Sequence, residues 1–311
     1  MAGGKHRRQS SSRSASSPRT LARAKQAPPT VSGRWLVAAL AIALPVALLC
    51  TWTAFCVLFW QGSWQLLYHP SATVVRTPSS VGLSYIPFGF APSEAGTPQL
   101  SGWWIPASSE ARGTALYLHG QQGNMGDALD DLVRLHNAGV NVLAFDYRGY
   151  GASEFARPTE ARWREDAEWA LSYLATTRHV PPHSTIVVGS GLGANLALEV
   201  ASAHSELAGV VLESPLDAPA SVIFNDPRAR LVPAHLLVHD RWELTAPAAA
   251  LSIPSLWLLP QPGPCQTAAP AVESAFQKVS GSKTVVWLAS SPVSQQVAAS
   301  ALSRWLDSLP R

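Results

Sequence analysis

From Trp35 to Trp60 the chain runs for 26 residues without a charge. That is long enough for one helix to cross a bilayer. Beyond it the pattern changes to short apolar runs alternating with amphipathic stretches. Extended runs fall at 83–87, 100–105, 114–118, 140–145, 185–188, 209–212, 255–259 and 284–288. Helical spacing of apolar positions falls at 127–137, 161–176, 193–204, 271–279 and 294–309. Strands separated by helices of this length predict crossover units and a mostly parallel sheet. No helix separates the first two strands, which predicts an antiparallel hairpin at the sheet edge. The stretch 215–252 is rich in Pro and Ala and has no clear period. It interrupts the alternation and reads as a small cap insertion. Four segments result: an arm (1–34), an apolar span (35–60), a tether (61–80) and an α/β domain (81–311).

The arm changes the charge balance. It holds Lys5, Arg7, Arg8, Arg13, Arg19, Arg23, Lys25 and Arg34, no acidic residue, and many Ser and Pro. Such a segment cannot build a core. Removing these eight from the 23 basic residues leaves fifteen against 20 acidic ones, so a net of +3 becomes −5. The folded part is mildly acidic, which removes the support for a nucleic-acid partner. Positive charge ahead of a single span predicts a cytoplasmic N-terminus and an extracytoplasmic domain. A cleaved leader has a shorter apolar core and a small-residue cleavage site. Trp60, Trp64 and Tyr68 then suit the bilayer interface, and Pro45 is tolerable within the span. Cys50 and Cys56 lie in the span and Cys265 stands alone beyond it. No disulfide within the domain and no Cys-based metal site is expected, and no cofactor motif is present.

In open α/β sheets the residues after each strand carry the chemistry. After 114–118 come His119, Gly120, Gln121, Gln122, Gly123 and Asn124. After 140–145 comes Asp146-Tyr147-Arg148-Gly149-Tyr150-Gly151. After 185–188 comes Gly189-Ser190-Gly191-Leu192-Gly193, ahead of an apolar helix. A strand, a small-residue turn and a helix make the setting of a nucleophile elbow, G-x-S-x-G. The outer glycines here are Gly189 and Gly193. The middle position, where the attacking serine belongs, is Gly191. The i, i+2, i+4 glycine spacing does not fit a dinucleotide turn.

Three motifs, YLHGQQGN, FDYRGYGAS and VVGSGLGANLAL, in this order and spacing, resemble the α/β-hydrolase family over residues 65–309. The likeness is to its membrane-anchored esterase, lipase and peptidase-like branch. It implies an α/β-hydrolase fold: an eight-stranded, mostly parallel sheet flanked by helices, with a cap insertion, preceded here by one transmembrane helix. In active members it also implies a Ser-Asp-His triad and an oxyanion hole.

Acyl transfer needs a nucleophile, a base, an acid that orients the base, and donors for the oxyanion. Gly191 offers no nucleophile. Ser190 precedes the apex, and a frame shifted onto it would need small residues at Val188 and Leu192. The acid loop after 255–259 contains no carboxylate, and no His occurs after His239. Substitutes are scattered: His119, Asp217 and Asp240. The oxyanion donors are backbone and outlast side-chain loss. They are the N–H of Leu192 and one from Gln121 or Gln122, with Gly120 keeping the loop permissive. Three losses in three proper loops predict a catalytically inactive member that binds a small acyl ligand, a peptide or a protein partner. The alternative is an esterase or lipase with a displaced triad using Ser190.

Overall fold

A computed structural model of the chain describes residues 32–94, 96–262, 269–289 and 293–310. The arm through residue 31, most of the loop expected to hold an acid (263–268, with Cys265) and that expected to hold a base (290–292) lie outside the described residues.

The chain divides into two units, Met1–Thr51 and Trp52–Arg311. In the first, the described residues open a long helix, α1 (Gly33–Gly62), whose apolar side chains, Leu36, Leu40, Leu44 and Leu48 among them, are exposed. Gly33–Leu66 is long and apolar enough to cross a membrane.

Among its described residues the second unit holds ten strands: β1 (His69–Pro70), β2 (Ile86–Pro92), β3 (Pro98–Ile105), β4 (Thr114–Leu118), β5 (Gln122–Gly123), β6 (Asn141–Asp146), β7 (Thr185–Ser190), β8 (Gly209–Glu213), β9 (Ser255–Pro260) and β10 (Lys283–Leu288). The two-residue strands β1 and β5 pair in parallel. The other eight form one sheet in the order β10-β9-β8-β7-β4-β6-β3-β2. Its pairings are parallel except β2 with β3 and β3 with β6. The central strands are apolar at nearly every position because helices cover both faces. On one face lie α3 (Glu160–Thr176), α4 (Leu192–Ala203) and α8 (Pro270–Lys278); on the other lie α2 (Leu129–Asn137) and α9 (Val293–Ser308). α4 is short and apolar, with nine of its residues buried against the sheet and its neighbours.

Two expectations change. The first strand runs Ile86–Pro92 rather than 83–87. A 3-10 turn at Pro78–Val81, closed by Gly82 at φ 78°, delays the extended run until Phe88 and Phe90 can pack inward. The segment 61–80 is not a loose tether. Leu67 and Tyr68 are core residues, and His69–Pro70 is a strand. Between β8 and β9 the cap holds three short helices, α5 (Ser221–Phe224), α6 (Ala234–Leu237) and α7 (Thr245–Ala250), with a 3-10 turn at Pro227–Leu231.

Candidate functional site

The turn between β7 and α4 is a single residue, Gly191, at φ 57° and ψ −124°. Side chains reach positive φ only at a cost of about 1–2 kcal/mol; glycine reaches it freely. The Gly191 N–H donates to the Glu213 carbonyl (2.9 Å), and its own carbonyl accepts from the Ala194 N–H (3.0 Å). The flanking glycines are required by crowding. A Cβ on Gly189 would lie 2.7 Å from Ala194 Cα and nearer still to the Gly193 carbonyl. One on Gly193 would lie 2.8 Å from the Leu118 carbonyl carbon and nearer still to its oxygen. At Gly191 the nearest neighbours would be Gln121 Oε1 at 3.3 Å and Gly120 Cα at 3.8 Å. The outer glycines let strand and helix touch. The middle position has space for a side chain and carries none.

The oxyanion side is occupied from within. The Leu192 N–H donates to Gln121 Oε1 at 3.3 Å. The donor that would face a developing oxyanion is therefore engaged by the chain's own amide. The loop carrying Gln121 is held by the residues that follow α1. The Gln121 carbonyl accepts from the His69 N–H and the Tyr150 hydroxyl, both at 2.9 Å. The Gly123 carbonyl accepts from the Ser71 N–H (2.9 Å), and Asn124 Nδ2 donates to the Thr73 carbonyl (2.9 Å). Gln122 sits in β5, in register with His69. Gly120 passes the end of β7, where a Cβ would lie 3.3 Å from the Ser190 carbonyl.

The Alpha/beta hydrolase family model matches residues 115–310, which takes in both halves of this turn and every strand from β4 onward. The chain belongs to the alpha/beta hydrolase family. Two uncharacterized Mycobacterium tuberculosis proteins are 34% identical over 186 residues, covering 58% of this chain and 64% of their own length. Human alpha/beta hydrolase domain-containing protein 17B is 32% identical over 124 residues, 40% of this chain and 42% of that protein. The chain thus spans less than two thirds of the length of these relatives. Among solved structures, the Pyrococcus furiosus esterase Pf2001 superposes with a TM-score of 0.59 at 19% identity, covering 78% of this chain and 97% of that one. At that identity the likeness speaks for the fold alone.

Against the family's arrangement, the candidate substitutes are dispersed. Ser190 is opposite Glu213 in register. By strand alternation it shares a sheet face with Val188, which packs with α2 and α9. His119 lies with the residues of the opposite face, its ring 4.5 Å from that of Tyr147 and 6.2 Å from that of Trp163. Asp217 Oδ1 accepts the N–H groups of Ala271 (2.6 Å) and Val272 (3.0 Å), at the N-terminus of α8. Asp240 accepts from the Tyr68 hydroxyl (2.7 Å) and the Glu160 N–H (3.2 Å), fastening the segment after α1 to the cap and α3. Each carboxylate already serves a backbone or hydroxyl donor. Among the described residues no group of three His, Cys, Asp or Glu is placed to hold a metal ion.

Beside the elbow lies a closed aromatic cluster. Trp163 stacks on Tyr147 at 3.9 Å, and Tyr68 and Trp242 each stand 5.5 Å from Trp163. His119 is sealed among these rings. Its Nδ1 is 2.8 Å from the Gly120 carbonyl, so that nitrogen is assigned the proton. Nε2 lacks a hydrogen-bond partner and faces Asp146 Oδ1 at 3.5 Å. Burial lowers the imidazole to about 4, too weak for a base near neutrality. Burial raises the Asp146 carboxyl to about 7, against backbone donation from Met125 and Ala152.

These two groups push stability in opposite directions. His119, depressed from 6.5 to about 4, makes the fold weaken on acidification through that window, because the unfolded chain takes up the proton first. Asp146, raised from 3.8 to about 7, does the reverse, and its contribution is lost as pH rises through about 7. Asp146→Asn removes the second contribution. Its stability is expected to fall by about 3 kcal/mol between pH 6.5 and 4, while the parent profile is flatter. Denaturant midpoints in detergent across that range check this. An equally flat profile in Asp146→Asn would contradict the assignment of His119 as a buried neutral group.

Two features were not legible as site residues. Gln121 counted only as a backbone donor, yet its side chain covers the elbow. Arg134, on α2, binds Glu213 with both terminal nitrogens and lies 3.0 Å from Asp131 Oδ1. It anchors the strand end whose carbonyl receives the Gly191 N–H. A charged residue directly after the apolar run 209–212 was the one signal.

Proposed function

We propose that this is a membrane-anchored alpha/beta hydrolase family protein that performs no acyl transfer and acts by binding. The observation that carries the reading is the elbow itself: Gly191 at the nucleophile position, with Gln121 Oε1 on the Leu192 N–H. An oxyanion hole stabilises only charge that a nucleophile creates, and its donors must be free when that charge appears. Neither condition is met. The scattered placement of Ser190, His119, Asp217 and Asp240 supports the same reading. The esterase activity named for the Pyrococcus protein would need a nucleophile, base and acid in reach of one another, and among the described residues Ser190, His119, Asp217 and Asp240 are not so grouped.

The bound species is an acyl or peptide ligand at the cap side, or a protein partner at the membrane. The arm's charge supports a cytoplasmic N-terminus with the domain across the bilayer. The test is labelling of the full chain in detergent by a fluorophosphonate probe, which reports an activated serine. No labelling above a heat-denatured control is expected. Labelling abolished by Ser190→Ala would overturn the proposal.

A further inference from the structure

The last turns of α1, from Trp52 onward, belong to the second unit. Phe59 is buried in its core, with Phe55 and Cys56 packed against it. The Trp52 indole N–H donates to the carbonyl of Leu231, in the cap, at 2.9 Å. Trp52 lies within the uncharged stretch, eight residues before Trp60. At 1.5 Å per residue, this cap contact lies about 12 Å along the helix from Trp60. The free side of those same turns is apolar as well: Val57, Leu58 and Trp60 are exposed. A span that stopped at Trp52 would leave them in water.

The cap surface beside this helix has a matching character. Leu231 is 64% exposed and Leu236 is 76% exposed, with Val222 exposed on α5, which itself packs on the Ser63–Leu66 turn. Arg228, whose guanidinium binds the Asp226 carboxylate, and Arg230 precede Leu231, and both are exposed. Apolar side chains scattered singly over a surface are ordinary. Three on one small cap, next to a segment built for lipid and edged with arginine, are not. Interfacial elements combine these parts: apolar side chains sunk about 5–10 Å and basic groups at the phosphates.

We propose that the cap is itself a membrane-inserted element. The stretch 222–237 enters the leaflet crossed by the C-terminal end of α1, with Leu231 and Leu236 among acyl chains and Arg228 and Arg230 at phospholipid headgroups. The occupant of this surface is the phospholipid bilayer, and anything reaching the cap from that side is lipid-borne. The inference rests on the reading of α1 as a membrane span.

The test uses the full chain with Cys50→Ala, Cys56→Ala and Cys265→Ser, carrying one new cysteine labelled with the environment-sensitive dye NBD. The protein is reconstituted into vesicles of phosphatidylcholine and phosphatidylglycerol, with and without nitroxide-bearing acyl chains. Three sites are compared: Leu236→Cys on the cap, Leu44→Cys within the span, and Ser109→Cys on an exposed loop elsewhere. Quenching and a blue-shifted emission at 236 and 44, with neither at 109, are expected. Quenching at 44 but not at 236 would overturn the inserted cap while leaving the span intact. No quenching at 44 would overturn the span reading and the inserted cap with it.

Discussion

Gly193→Ala is expected to destabilise the domain by about 3 kcal/mol or more, whereas Gly191→Ala costs about 1–2 kcal/mol. The difference follows from what each new methyl meets. At 193 it would run into the Leu118 and His119 carbonyls, main-chain atoms of β4 and the loop after it. Backbone in a sheet centre cannot step aside as a flexible side chain can, so strand and helix must separate. At 191 the nearest atom is the amide oxygen of Gln121, at 3.3 Å. A rotation of that side chain relieves the contact, leaving the positive φ as the main cost. Denaturant midpoints of the two variants in one detergent decide the point. Equal losses would mean that the elbow excludes any side chain at 191, and that glycine there is a packing demand rather than a lost nucleophile.

Arg134→Met is expected to cost about 3–5 kcal/mol, because it leaves Glu213 buried without its counter-charge. The guanidinium is nearly enclosed and is shared by Glu213, Asp131 and the Gln295 side-chain oxygen at 3.0 Å. Asp131 also accepts from the Tyr117 hydroxyl at 2.6 Å. Burial pushes the Glu213 carboxyl upward, and Arg134 acts against that. Exchanging both partners, as Arg134→Met with Glu213→Leu, is expected to recover much of the loss, because apolar groups of similar volume need no desolvated counter-charge. Thermal midpoints of the two single variants and the double variant form the cycle. If the double variant is as weak as the sum of the singles, the two side chains act independently and the pair does not hold the end of β8.

The sheet was readable because β4, β6, β7, β8 and β9 are buried on both faces. A strand covered on both sides is apolar at consecutive positions, and the turn residues that bound each run set it apart from a helix. The elbow was readable because Gly189 and Gly193 answer to backbone crowding, which only glycine satisfies. The segment after α1 was misread because Trp64 and Tyr68 carry the signature of interface aromatics, and the same side chains serve equally well in a core. Tyr68 meets Asp240, 172 residues away, and no local pattern announces that contact. Glu213 and Arg134 are 79 residues apart and equally silent. The cap's Pro- and Ala-rich run has no period because its helices are only four to six residues long. The role of Gln121 depends on where a loop places one rotamer, which composition does not encode.

The central claim is that this family member carries no working serine nucleophile. Turnover of a short-chain acyl ester by the purified full chain, compared with Ser190→Ala under the same conditions, tests it most directly. Both proteins are predicted to match the uncatalysed rate. Turnover in the parent protein that disappears in Ser190→Ala would contradict the account.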